Sequence, residues 1–226
     1  MSAAVIVVSI AALGGTLFAA DQSGVHRWID VGPLHVNIAA LLLPPAIVAL
    51  ATLGLQPVPV LAIIAAIGAL LLAQPDASQA TAFLLAAAVI FGGSGPKPAL
   101  LASGLLGMTA LGVITWLRFD PLQPVPEVEG IFALLGSLHW ALAAAASFAL
   151  AATSLVPLRR RRSGDPGLRS AAFALTAYFA ATAMTPLLGA YPVPLVGLGM
   201  SFPVGYWLGM ALLAADGPCN EKRVRP

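Results

Sequence analysis

The sequence predicts an all-α, polytopic transmembrane helical bundle of about eight spans, and three observations carry that prediction. The chain is 59% hydrophobic and only 9% charged over 226 residues, whereas a soluble domain has about a quarter of its residues charged. Its apolar runs suit helical spans of roughly 20 residues, and they lack the alternating polarity of barrel strands. Finally, Arg159, Arg160, Arg161, Arg162 and Arg169 gather with a single Asp165 between two charge-free stretches, residues 130–157 and 170–215. Such a block cannot lie in hydrocarbon and marks a cytoplasmic turn between spans.

The spans are expected at residues 2–20, 38–53, 58–73, 77–93, 98–117, 130–156, 170–188 and 195–215, in one transmembrane domain. The first has no basic leader and no clear cleavage site, and reads as a retained span. A polar loop containing His26, Arg27, Trp28, Asp30 and His35 follows it. The uncharged run from residue 37 to 73 breaks at Gly54 and at Pro57 and Pro59, which permit a reversal and withdraw backbone donors. Pro44 and Pro45 predict a kink that neighbouring helices must cover. Asp76 suits the N-cap of the next helix, and the Gly92–Pro98 segment reads as a turn. Gly205 and Gly209, four apart in the last span, permit close helix approach, within the bundle or to a partner chain.

Eight spans with both termini cytoplasmic place Lys97, Arg159 to Arg162, Arg169, Lys222, Arg223 and Arg225 inside, nine of the eleven basic residues. Arg27 and Arg118 remain outside. This is the positive-inside bias expected of a helical membrane protein. Asp21, Asp30, Asp76, Asp120, Glu127 and Glu129, six of the nine acids, also fall outside.

The outer breaks therefore hold the candidate chemistry. Arg27 and Arg118 have the fork that suits a carboxylate or a phosphate. Beside them, a carboxylate whose pKa is raised by burial or by a like charge serves as a base toward a hydroxyl. Glu127 and Glu129 are two apart and are not an obvious pair, and Asp120 lies across a proline-rich turn from them. His139 is expected about 15 Å deep in the sixth span, in a structural hydrogen bond or a polar passage. Cys219 stands alone, and no metal-ligand spacing is present, so neither metal nor cofactor is expected. Nor is a nucleic-acid partner.

Five segments, in order, resemble the SEDS (FtsW/RodA/SpoVE) family of bacterial cell-wall membrane proteins. Arg27-Trp28-Ile29 with Gly32 resembles the outer-loop "RWI..G", and Gln74-Pro75-Asp76 resembles the "QPD.GT" corner. Trp116 to Pro121 resembles "R…F.(D/N)P". Pro126-Glu127 with Ile131-Phe132 and Gly136 resembles "PE.HTDFIF", and Pro186 to Ser201 resembles "PVTGLPLPFISYGGSS". Against the ten spans usual in the family, the chain starts at the equivalent of the third, so a partial SEDS-like fold is expected. Leu34 to Asn37 stand where the family has "QP(S/A)E..K", Glu129 or Gly130 aligns with the essential aspartate of "HTDF", and Ser137, Leu138 and His139 replace later glutamates.

Catalytic members of the family are polymerases of lipid-linked sugars that work with a penicillin-binding transpeptidase. The losses lead to the expectation that this chain is a non-catalytic membrane subunit, more a binder of a membrane protein or lipid than an enzyme. The alternative is a divergent glycosyltransferase acting on a polyprenyl-linked substrate. There Glu129 is the base with Asp76 in support, while Arg27, Arg118, Trp28, Asp120 and Glu127 contact substrate. A transporter component is the remaining alternative, and it requires a continuous polar passage.

Overall fold

The computed structural model describes residues 2–215; Cys219 and the basic tail, expected on the arginine side, lie outside the described residues. The chain is largely helical: α1 (Ser2–Thr16), α2 (Ile38–Thr52), α3 (Pro57–Ala73), α4 (Ala77–Gly93), α5 (Pro98–Trp116), α6 (Ile131–Leu138), α7 (Trp140–Ser154), α8 (Pro166–Met184) and α9 (Ser201–Ala215). Three helical stretches, Pro98–Trp116, Trp140–Arg160 and Pro166–Leu187, are long and apolar enough to cross a membrane, and five shorter apolar helices accompany them.

Helices α2, α4 and α8 form the centre, where Ile47, Phe83, Phe91, Leu175 and Tyr178 are fully enclosed. Helices α5 and α7 lie outside it and expose apolar side chains such as Leu106 and Phe148. On a soluble protein such faces would be a liability. In hydrocarbon they are the expected surface.

The proline pair in α2 explains how α9 docks. Pro44 and Pro45 cannot donate to the carbonyls of Ala40 and Leu41, four residues earlier. Gly205 of α9 lies directly on those carbonyls: a Cβ there would stand 2.1 Å from the Ala40 oxygen and 2.9 Å from that of Leu41. One turn on, a Cβ at Gly209 would stand 2.8 Å from the Pro44 ring. The two glycines therefore serve packing within the chain.

Two expectations about local structure are corrected. The polar loop after the first span holds a hairpin, β1 (Trp28–Val31) paired antiparallel with β2 (Leu34–Asn37). Gly32, with φ of +60°, opens its two-residue turn, the position where a II′ turn needs a positive φ. The segment from residue 130 to 156 is not one helix. It breaks at His139, whose extended backbone ends α6 and whose Nδ1 accepts the Ala141 N–H at 3.2 Å, capping α7. His139 is exposed, so it lies on the surface of the bundle and not inside it.

Candidate functional site

The turns divide between two ends of the bundle. Gly54, Gly93, Ser94 and Asp165 meet at the end that carries the arginine block. At the opposite end the hairpin, the Gln74–Asp76 corner, the 120–129 segment and the 188–192 loop enclose a cavity of about 220 Å³.

Arg27 is the hub of that end, only 5% exposed. Its position is set from both sides. Its carbonyl accepts the Ile38 N–H at 3.2 Å, and Asn37, ending the hairpin, caps α2 through the Ala40 N–H at 2.9 Å. Its Nε donates to the Gln74 carbonyl at 3.2 Å, and Nη2 donates to the Pro75 carbonyl and to Asp120 Oδ2, the latter at 2.6 Å. Asp76 Oδ2 stands 3.7 Å from Nε. Gln74 in turn is fixed by donating to the Leu13 carbonyl at 3.0 Å and to Thr16 Oγ1 at 2.6 Å.

Asp76 is 4% exposed, and its Oδ1 accepts the Gln79 N–H at 3.1 Å, the N-cap bond expected of it. Burial pushes its pKa above the usual carboxylate range, and Asp120 adds to this; Arg27, the Gln79 N–H and Asn37 pull the other way and do not cancel it. Arg27 loses stability as a cation by burial, but Asp76 and Asp120 more than restore it, and its pKa is raised. Tyr191, on the cavity wall and edge-on to Trp116 at 5.3 Å, is held neutral to higher pH by burial and by the same carboxylates.

Glu129 lines the cavity, half-buried, and its Oε2 accepts the Val125 N–H at 2.7 Å. Among the described residues it has no cationic partner. Its segment is clamped from the other loop: Val193 N–H donates to the Val128 carbonyl at 3.2 Å, and Leu198 N–H to that of Glu127 at 2.9 Å. A Cβ at Gly197 would stand 2.6 Å from the Val128 oxygen, so only glycine lets the two loops meet this closely.

Of the seven residues singled out from the sequence, Arg27, Trp28, Asp76, Asp120 and Glu129 converge on the cavity. Arg118 and Glu127 are exposed and outside its lining. Arg27, expected as a substrate contact, is engaged by two carboxylates and two carbonyls, so its first role is to hold the site together. Gln79, Tyr191 and Phe202 line the cavity and escaped the sequence reading. Gln79 follows the Gln74-Pro75-Asp76 motif within one turn, and Tyr191 lies in the outer loop at 189–194, so their nearness to recognised segments was the available signal. The buried hydroxyls of Ser9, Ser154 and Thr182 donate to main-chain carbonyls of their own helices.

No protein-family model matches the chain, and neither does any curated protein. A solved structure does: a crystal structure of the rod shape determining protein RodA from Thermus thermophilus, a variant with one aspartate replaced by alanine, superposes with a TM-score of 0.55 at 20% identity, covering 100% of this chain and 80% of that one. The chain has the fold of RodA. The likeness inferred from the loop motifs therefore extends to the whole backbone. It also corrects the expectation of a non-catalytic subunit that is more binder than enzyme. That expectation rested on the missing spans and on the replaced aspartate, whereas a RodA-like frame spans the entire chain and five of the motif residues, Glu129 among them, meet in one cavity.

Proposed function

We propose that the chain is a divergent glycosyltransferase of the bacterial inner membrane that acts on a polyprenyl-diphosphate-linked sugar at its outer face. The observation that carries this reading is the convergence of Asp76 from one segment and of Asp120 and Glu129 from a second on one cavity around Arg27, which comes from a third. Carboxylates and amides are the acceptors that sugar hydroxyls need, and Trp28 and Tyr191 add apolar faces. The activity itself comes from the SEDS resemblance.

In this reading the eight apolar helical stretches thread the bilayer with both termini in the cytoplasm, so that the cavity opens outward. Glu129, without a cationic partner among the described residues, takes the proton from the acceptor hydroxyl. The freed oxygen bonds the anomeric carbon of the donor as its bond to the diphosphate breaks, and the electron pair leaves with the polyprenyl diphosphate. Asp76, with its raised pKa, supports the site, and Arg27 keeps Asp76 and Asp120 at fixed separation. One guanidinium against three carboxylates leaves the cavity negative, which favours a sugar there and the diphosphate at the rim, where Arg118 is exposed. An integral membrane partner completes the assembly, the apolar faces of α5 and α7 being available to it.

Purified protein in vesicles, given a polyprenyl-diphosphate-linked disaccharide, should form glycan polymer, and Glu129→Gln should not while unfolding at the wild-type temperature. Absence of polymer from the wild type with its substrate and membrane partner present would refute the reading.

A further inference from the structure

We propose that the arginine turn between α7 and α8 is a binding site for the headgroup of an anionic phospholipid, with the acyl chains lying along α7. The site is at the end of the bundle opposite the catalytic cavity and does not depend on the reading of that cavity.

Arg159 and Arg160 end a tight helical turn, Val156–Arg160; Arg161 and Arg162 follow it directly, and Arg169 lies in the first turn of α8. Among the described residues none of the five is in a salt bridge. Asp165, the one carboxylate in the segment, is used locally: its Oδ1 accepts the N–H groups of Gly167 at 2.7 Å and Leu168 at 3.3 Å and so caps α8. Five guanidiniums thus crowd an ordered turn without an anion among the described residues.

Three of the five are held by main-chain carbonyls. Arg169 Nη1 donates to the Ser163 carbonyl at 3.1 Å, and Arg161 Nη1 reaches that of Leu158 at 3.5 Å. Arg160 Nη2 reaches the Ala214 carbonyl at the end of α9, at 3.4 Å, tying the turn to the bundle. A guanidinium has five N–H donors, so each keeps several for an outside acceptor. Arg159, Arg161, Arg162 and Arg169 are exposed. The phosphodiester of a lipid supplies the acceptor oxygens and the negative charge, and polybasic segments next to a span draw anionic lipids with about 1 kcal/mol per basic residue.

The apolar surface beside the turn identifies the anion as a lipid. Leu155, next to the turn, is 52% exposed, and Phe148, two turns further along the same helix, is 78% exposed. In a bilayer this strip already faces acyl chains, so an anionic lipid beside α7 brings its phosphate to the arginines without leaving the membrane, which an acidic protein or free phosphate cannot do.

The test is native mass spectrometry of the purified full chain with dioleoylphosphatidylglycerol, with dioleoylphosphatidylcholine of identical chains, and with inorganic phosphate. Phosphatidylglycerol should be retained about tenfold or more over phosphatidylcholine, high salt should weaken its retention, and phosphate should not displace it. A variant with Arg159, Arg161, Arg162 and Arg169 all changed to Gln, which leaves the Arg160 tie in place, should lose the preference; the same four changed to Lys should keep most of it and shows that loss is not misfolding. Equal retention of the two lipids by the wild type, an undiminished preference in the Gln variant, or full displacement by phosphate would overturn the proposal.

Discussion

Arg27 and Asp120, 93 residues apart in the chain, meet through a 2.6 Å bond at the mouth of the outer cavity. That bond joins the hairpin loop to the proline-rich loop, and through Gln74 and Pro75 the same guanidinium holds the corner that begins α4. Arg27→Met leaves Asp76 buried and unpaired. Breaking a buried pair from one side costs about 3–5 kcal/mol. The thermal midpoint should fall by several degrees, whereas Asp120→Asn, whose side chain is 25% exposed and can still accept a bond, should cost far less.

Asp76 makes a pH signature. Its folded-state pKa is raised, chiefly by burial. The stabilisation from its protonated form is complete below the unfolded value of about 3.9 and is lost as pH rises through the higher folded value. Asp76→Asn keeps an N-cap acceptor and has no charge to bury. The difference in thermal midpoint, wild type minus Asp76→Asn, should therefore decline as pH is raised from about 4 through that folded value and then level off. A difference that grew with pH would show that ion pairing to Arg27 outweighs burial.

The α2–α9 contact predicts opposite outcomes for two glycines. Gly205→Ala drives a methyl to 2.1 Å from the Ala40 carbonyl and should cost about 1–3 kcal/mol or more, read as a lowered thermal midpoint. Gly107, on the outer helix α5, has nothing within 4 Å of such a methyl, and Gly107→Ala should be neutral or stabilising.

Gly197→Ala should act on activity before stability. Its methyl meets the Val128 carbonyl at 2.6 Å and must displace the segment that presents Glu129. Polymer formation should fall about tenfold or more, since small displacements of reacting groups are costly in rate, with a modest change in thermal midpoint.

The long uncharged runs were readable as helices because hydrophobicity over a span's length has few other solutions. The hairpin was not, because two four-residue strands joined at Gly32-Pro33 show too little alternation to stand out from a polar loop. The break at His139 itself has no proline or glycine to announce it; its extended backbone and its side-chain cap on α7 are visible only in the structure. Asp76 as a cap followed from its place before a helix, which is a local matter. That Arg27 would be enclosed by two carboxylates was beyond any local pattern, because Asp120 reaches it only after α5 has returned the chain to the same end. Glu127 and Glu129 are equivalent as sequence; only the turn they share, with Val125 N–H bonded to Glu129, directs one of them to the cavity.

That distinction supplies the most direct measurement: glycan polymer formed from a polyprenyl-diphosphate-linked disaccharide by Glu129→Gln and, side by side, by Glu127→Gln. The account predicts that Glu129→Gln loses about a hundredfold or more, while Glu127→Gln, exposed and outside the cavity, stays close to wild type. Equal rates for the two variants, or a Glu129→Gln protein as active as wild type, would contradict it.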